Sequence, residues 1–453
     1  MPTDQDQRAE EQATGQPSKT TLRKVTVGAT IGAIVEWFDI AVYGYLAAEI
    51  GQVFFKSSDP AVALLQSFAV FGLAYVVRPL GGIFFGAMGD RVGRHKTLAW
   101  IIILVSFSTF AIGFLPSHAT AGLWSPVLLV FFRLMQGFSA GGEMGGASAF
   151  VAEYSPVRRR GFYVSWVELG AIAGFLVGSV TVTILRLMIS ETSMLEWGWR
   201  IPFFVAGPLG VVGLYIRLKL EETPEFIELQ KKDKVAKNPI KEVIVHHWPQ
   251  ILRAAAFALF QNIALYVILT FVPSFQTETL KYSALTSSVS SLLTLVVVVV
   301  MIPIVGALSD RAGRKPILVT GCVLGILVPY PLFLLMTQGS PALAVISHVL
   351  LGVMLATFLG PILAAINELF ETRVRFGGFG IGYNVSVALF GGTAPLMVGL
   401  LIRWTGIKES PGFYIALSAV ITLIVVLISR ETAPVKTGEV DAKDAAPAPS
   451  GVR

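Results

Sequence analysis

Charge is scarce in this 453-residue chain: only 14% of it is Asp, Glu, Lys or Arg, against 54% hydrophobic residues. Soluble domains carry roughly 25% charge. Together with a mean hydropathy of +0.70, this excludes an ordinary water-soluble enzyme. Cysteine is nearly missing. Cys322 stands alone in an apolar run, which rules out an internal disulfide or a Cys-based metal cluster. Residues 1–18 have no apolar core, so no cleavable signal peptide is expected. Residues 431–453 are Ala/Pro-rich and charged without heptads. They read as a disordered tail that forms no coiled coil. Strict polar/apolar alternation, the mark of a membrane barrel, is lacking in runs such as Val296–Pro303.

What the chain has is long apolar runs. A membrane helix needs about 20 mostly apolar residues. Twelve stretches qualify: 25–48, 62–87, 98–115, 124–150, 162–187, 200–219, 252–275, 285–308, 317–337, 342–367, 379–403 and 411–430. The expected fold is an all-α membrane protein with twelve transmembrane helices in two six-helix bundles. Residues 1–24 read as a disordered N-terminus, 25–219 as the first bundle, 220–251 as a central loop, 252–430 as the second bundle and 431–453 as the tail.

The net charge of +6 follows topology rather than nucleic acid, because the basic residues fall in short loops. One set of loops holds Arg91, Arg94 and Lys96, Arg158–Arg160, Arg311, Arg314 and Lys315, and Arg373 and Arg375. The other set holds only Lys56, Lys281 and Lys408. The basic side, with both termini and the central loop, is expected to be cytoplasmic.

The halves repeat one another. Gly89-Asp90-Arg91-Val92-Gly93-Arg94 follows the second run, and Ser309-Asp310-Arg311-Ala312-Gly313-Arg314 follows the eighth. Glu153 precedes Arg158 and Arg160 at the same spacing as Glu368 precedes Arg373 and Arg375. Such duplication belongs to transporters that rock two bundles about a midplane site. Asp90, Arg91, Arg94, Glu153, Asp310, Arg311, Arg314 and Glu368 are the expected cytoplasmic gate, with Gly93 and Gly313 allowing tight turns.

The loop Gly-Asp-Arg-x-Gly-Arg-x-Lys resembles the hallmark of the major facilitator superfamily. Several other stretches resemble its metabolite:proton symporter family: Glu36-Trp-Phe-Asp39, Arg78-Pro-Leu-Gly-Gly82, Arg133-Leu-Met-Gln136-Gly137 through Glu143, and Trp197-Gly-Trp-Arg-Ile-Pro202. Phe150-Val-Ala-Glu-Tyr-Ser-Pro156 is similar to the proline/glycine-betaine branch. The resemblance implies proton-coupled import of a small organic solute in a bacterial inner membrane by a monomer without cofactors, with lipid as surroundings and no nucleic-acid partner.

Ionisable groups inside spans mark functional sites by default. Here they are Glu36, Asp39, Arg78, Arg133, Glu143 and Glu168, all in the first half. Glu36 and Asp39 are the leading proton carriers, followed by Glu143 and Glu168. Depth along the helices places Asp39 level with Arg133, and groups Arg78 with Glu143 and Glu168. Arg133 and Arg78 suit a carboxylate. Trp37, Tyr43, Trp166 and Tyr266 offer aromatic faces to an ammonium, and Gln261, Asn262 and Asn384 offer neutral hydrogen bonds. Four acids against two arginines favour a zwitterion such as proline or betaine. A dicarboxylate or related organic acid (α-ketoglutarate, citrate, shikimate) is the alternative. The five histidines lie in loops or near span ends, and no nucleophile–base pair suggests an enzyme. Gly170, Gly174 and Gly178 recur every four residues and mark close helix packing.

Overall fold

The computed structural model describes residues 18–57, 59–218, 227, 239–371 and 374–433. Twelve helical elements correspond one for one to the apolar runs. They are α1 (Lys19–Tyr45), α2 (Pro60–Val76 continued by Arg78–Val92), α3 (Arg94–Ile112), α4 (Trp124–Ala140 continued by Glu143–Tyr154), α5 (Arg160–Met188), α6 (Arg200–Leu218), α7 (Trp248–Thr279), α8 (Ala284–Ala312), α9 (Arg314–Leu327 continued by Pro329–Met336), α10 (Pro341–Asn367), α11 (Arg375–Thr405) and α12 (Ser410–Ile428). Nine are long and apolar enough to cross a membrane by themselves, and α9 makes ten when its two pieces, bent by 42°, count as one span. The other two are α4, broken at Gly141-Gly142, and the shorter α6.

Interruptions fall where the sequence forces them. Pro79 sits at the start of the second piece of α2, and Pro329 at that of α9. Proline lacks the N–H that a helix interior needs but tolerates a first turn. In α7 the backbone widens to π geometry at Val267–Phe271, just before Pro273. α11 does the same at Val387–Gly391.

α5 lies along α1, α6 against α3, and α4 against α2 and α3. In the second half, α8 lies along α10, α7 against α11 and α12, and α9 against α12. The two groups of helices meet through α5 with α8 and through α2 with α11. The glycine stripe of α5 is a packing device: a Cβ on Gly170 would stand 2.5 Å from the Thr30 carbonyl oxygen, and one on Gly174 2.7 Å from that of Ile34.

Three sequence expectations change at the ends. Helix α1 starts at Lys19 rather than 25, because the Ser18 hydroxyl caps it by accepting from the Thr21 N–H at 3.1 Å. α7 starts at Trp248, and a short helix, Pro239–His246, precedes it inside the expected central loop. Residues Glu431–Ala433, assigned to a disordered tail, are anchored. The Glu431 carboxylate accepts from the backbone N–H of Arg314 at 2.9 Å and of Lys315 at 3.2 Å, the unsatisfied start of α9. Residues 434–453 lie outside the described part.

Candidate functional site

Four of the six buried charges of the first half converge on one cavity. α1 contributes Glu36 and Asp39, three residues apart on one face, each 4% exposed. α2 brings Arg78 just past its break, and α4 brings Arg133, each 2% exposed. With Tyr75 and Gln136 these residues line the cavity, which gives about 20 Å³ to the centre of a water-sized molecule. That is room for about one water.

Within it, charges are distributed in two chains. Arg78 Nη2 donates to Glu36 Oε1 in a buried ion pair and also to the Ala140 carbonyl at 3.3 Å. Arg133 Nη1 donates to Gln136 Oε1 at 3.0 Å. Gln136 Nε2 in turn donates to Asp39 Oδ1 at 2.7 Å and to Thr109 Oγ1 at 2.8 Å. Asp39 and Arg133 therefore share a level, as their depth implied, but communicate through Gln136. The grouping of Arg78 with Glu143 and Glu168 does not hold. Arg78 pairs with Glu36 of α1 instead.

Arg133 is also held from its flat side. Its guanidinium carbon stands 4.2 Å from the centre of the Tyr43 ring and 5.4 Å from that of Phe71. Such stacking suits a planar guanidinium. Arg78 stands 5.0 Å from the Tyr75 ring. Tyr266 of α7 closes the group: its ring centre is 5.2 Å from Tyr75, 5.9 Å from Phe71 and 6.2 Å from Trp37. Tyr266 comes from the second half, so the aromatic cluster spans both groups of helices.

The remaining sequence candidates lie around this centre. Glu168 of α5 is fully buried, and its Oε1 accepts from Gln261 Nε2 of α7 at 3.1 Å, a bond between the halves. Asn262 donates to Ser386 Oγ at 3.4 Å. Asn384 donates to the Gly141 and Gly380 carbonyls at 2.6 and 2.7 Å, tying α11 to the break in α4. Glu143 is buried as the first residue after that break. Trp166 is apart: half-buried, its ring rests on Phe162 at 6.1 Å, and it joins none of the ring pairs of the central cluster. Sequence reasoning left Thr109, Tyr75, Phe71 and Gln136 off the site, although Gln136 stood inside the motif that begins at Arg133. Tyr75 and Gln136 each stand one turn from a buried charge, whereas Phe71 and Thr109 carry no such mark in the sequence. His348 also moves. Expected near a span end, it is fully buried in α10, with Nδ1 2.8 Å from Ser290 Oγ and Nε2 2.9 Å from the Ile268 carbonyl oxygen.

At the Arg-rich end the second of the repeated loops bridges helices. Gly93 and Gly313 adopt φ of 114° and 103°, which only glycine takes without strain. Asp310 reaches from α8 to the start of α5, where its two oxygens accept from the Gly161 and Phe162 N–H groups, both at 2.8 Å. A carboxylate at a helix N-terminus also gains from the helix dipole. Arg314 donates to Asp310 at 2.8 Å and to both oxygens of Glu368 at 3.2 Å. Arg375 of α11 lies 3.6 Å from Glu153 of α4. Arg91 and Arg311 are exposed. The side chains of Asp90 and Arg94, and Arg373, lie outside the described residues. Among those described, no group of three or more His, Cys, Asp or Glu is placed to hold a metal ion.

Twelve apolar helices around a buried cluster of charges, with Arg314–Asp310, Arg314–Glu368 and Arg375–Glu153 ion pairs at one end, define a membrane transporter rather than an enzyme. The chain belongs to the Major Facilitator Superfamily, whose profile matches residues 28–382 and 298–451. It is 40% identical over 421 residues to the glycine betaine/proline/ectoine/pipecolic acid transporter OusA of Dickeya dadantii, covering 91% of this chain and 84% of that one. To the proline/betaine transporter of Salmonella typhimurium it is 39% identical with the same coverage. To the ectoine/proline transporter ProP of Corynebacterium glutamicum it is 35% identical over 425 residues, again with 91% and 84% covered. In fold it is similar to the proton:xylose symporter XylE, with a TM-score of 0.77 at 16% identity over 91% of this chain and 97% of the other.

Proposed function

We propose that this protein imports a proline- or betaine-like zwitterion together with a proton, by alternating access at the cavity that Asp39, Arg78 and Arg133 line. The observation that carries the reading is the chain Arg133–Gln136–Asp39 beside the rings of Tyr43, Phe71 and Tyr266. The Arg133 guanidinium matches a zwitterion's carboxylate and the aromatic faces match its ammonium and apolar body, which leaves Asp39 to carry the proton. The names of the relatives point to the same solutes, and none of those three names a dicarboxylate.

Proton coupling follows from the same chain. A charged Asp39 holds the Gln136 amide strongly, because hydrogen bonds to ionised acceptors are roughly twice as strong as neutral ones. A proton on Asp39 weakens that hold and releases Gln136, and with it the Arg133 edge bonded to Gln136. The solute carboxylate then takes the freed guanidinium. Proton and solute thereby favour one another's binding, which is the requirement for symport. Glu36, paired with Arg78, keeps the second arginine in place, and Glu143 and Glu168 are secondary proton sites.

In this reading residues 25–219 and 252–430 rock as two bodies. The Arg-rich end and both termini face the cytoplasm, in agreement with the positive-inside bias. The protein works as a monomer in a bacterial inner membrane, among lipids, with H+ as coupling ion and no cofactor. The test is uptake of labelled proline into proteoliposomes under an inward pH gradient. Unlabelled betaine is expected to compete and citrate is not. Competition by citrate or α-ketoglutarate with none from betaine overturns the zwitterion assignment.

A further inference from the structure

Beside the Arg133 chain lies a second set of polar groups with nothing to bind. The hydroxyls of Tyr75, Tyr266 and Tyr383 are all buried and all lack a hydrogen-bond partner of normal geometry. They come from three helices: α2 in the first half, and α7 and α11 in the second. Tyr75 and Tyr266 face each other closely enough for their hydroxyls to interact, and Tyr266 and Tyr383 lie within electrostatic reach of each other. All three lie within reach of Arg78. Arg78 itself is half used. Its Nη2 is spent on Glu36 and Ala140, whereas Nε and Nη1 are buried without a partner.

Such an arrangement is costly unless it serves a ligand, since a buried polar group left unsatisfied gives up its hydrogen bonds to water and gains none in return. Here three hydroxyl donors and two guanidinium N–H edges cluster together. Tyr383 lies within electrostatic reach of the Glu168 and Glu36 carboxylates, yet its hydroxyl bonds to neither; what the cluster lacks is a bonded acceptor with several lone pairs, and a carboxylate has about four such sites. The packing also looks built to bring the rings close. Gly391 and Gly392 of α11 leave space for them: a Cβ on Gly392 would stand 2.2 Å from the Tyr75 ring, and one on Gly391 2.9 Å from that of Tyr266.

We propose that Tyr75, Tyr266 and Tyr383, with the open edge of Arg78, form the second half of the carboxylate site; Tyr75 and Arg78 line the same cavity as Arg133. This deepens the function proposed above and rests on the solute bearing a carboxylate. Because the hydroxyls come from both groups of helices, a bound carboxylate draws α7 and α11 onto α2 and closes the site around the solute. A solute without a carboxylate gains none of this closure.

The test is binding to the purified full-length protein in detergent, read by tryptophan fluorescence, since Trp37 stacks 6.2 Å from Tyr266. The variants are Tyr75→Phe, Tyr266→Phe and Tyr383→Phe, which keep each ring and remove only its hydroxyl. Betaine and proline are titrated beside choline, which has the quaternary ammonium but no carboxylate. Each variant is expected to bind betaine about tenfold more weakly, the loss of one hydrogen bond to a charged group. Choline binding is expected to stay unchanged, and the melting temperature of the solute-free protein to stay level or rise. Unchanged betaine affinity, an equal loss for choline, or a fall in melting temperature that accounts for the weakening each overturn the proposal. If the wild type binds neither betaine nor proline, the zwitterion reading fails by itself, and α-ketoglutarate becomes the probe. Weakening of α-ketoglutarate binding in the Phe variants would still support the carboxylate site. Equal binding by wild type and variants, or no binding of any carboxylate, would remove it.

Discussion

Asp310→Asn is the perturbation with the clearest structural consequence. In the conformation seen here, the Asp310 carboxylate bridges α8 to the start of α5 through two backbone N–H groups at 2.8 Å, while Arg314 supports it at 2.8 Å. An asparagine keeps one acceptor oxygen and turns an NH2 toward the other N–H donor. One charge-assisted bond is lost, worth about 1.5–3 kcal/mol. Part of the interaction with the helix dipole, about 0.3–1 kcal/mol, goes with it. The closed end is thus weakened by about 3 kcal/mol, a shift of roughly 150-fold toward states in which the Arg-rich end is open. The shift is visible by cysteine labelling in a Cys322→Ser background, where the native thiol is already buried. Ser165 lies behind the lock, 1% exposed and against Gly306. A cysteine at 165 is expected to react slowly with a polar maleimide in the wild type and much faster with Asp310→Asn. A cysteine at Ser274, in the cavity of about 350 Å³ at the opposite end, is expected to slow down. Unchanged rates at both positions would refute the lock. Faster labelling at both would indicate unfolding instead of a shift between states.

Two further outcomes follow from the same geometry. Arg133→Lys keeps the charge but loses the flat contact with Tyr43 and the fork needed for a carboxylate, so KM is expected to rise about 10- to 150-fold, measured by initial rates of uptake. Glu431→Ala removes the cap on α9 and is expected to cost about 1 kcal/mol, a melting temperature lower by a few degrees in detergent, with KM unchanged.

Much of the fold is legible in the sequence because the membrane simplifies the problem. Each run of about 20 apolar residues must satisfy its own backbone and so becomes a helix. Charge in the loops and the Asp90/Asp310 repeat supply the pairing of halves. α4 and α6 read as spans from their apolar runs 124–150 and 200–219, although in the structure α4 is broken and α6 is short. The site is legible only in part. Buried charge advertises Glu36, Asp39, Arg78 and Arg133, because ions inside a membrane need a reason to be there. Which partner each takes depends on side-chain direction at helix breaks, and the sequence does not carry that. Arg78 pairs with Glu36, and Gln136 slips between Arg133 and Asp39. Neutral groups advertise nothing. Tyr75, Tyr383 and Thr109 look like any other membrane tyrosine or threonine until three dimensions place them beside a charge. Glu431 shows the reverse case: a charged residue in a segment of disordered composition, fixed by the start of a helix more than 100 residues earlier.

The central claim is that a zwitterion and a proton move together through the Arg133–Gln136–Asp39 site. The most direct measurement is proton flux in proteoliposomes that enclose a pH-sensitive dye, with no imposed gradient. Adding proline or betaine outside is expected to acidify the interior. Citrate is expected to leave it unchanged, and Asp39→Asn to abolish the proline response while still exchanging internal for external proline. Proline uptake by the wild type without any change in internal pH, or an acidification that survives in Asp39→Asn, would contradict the account.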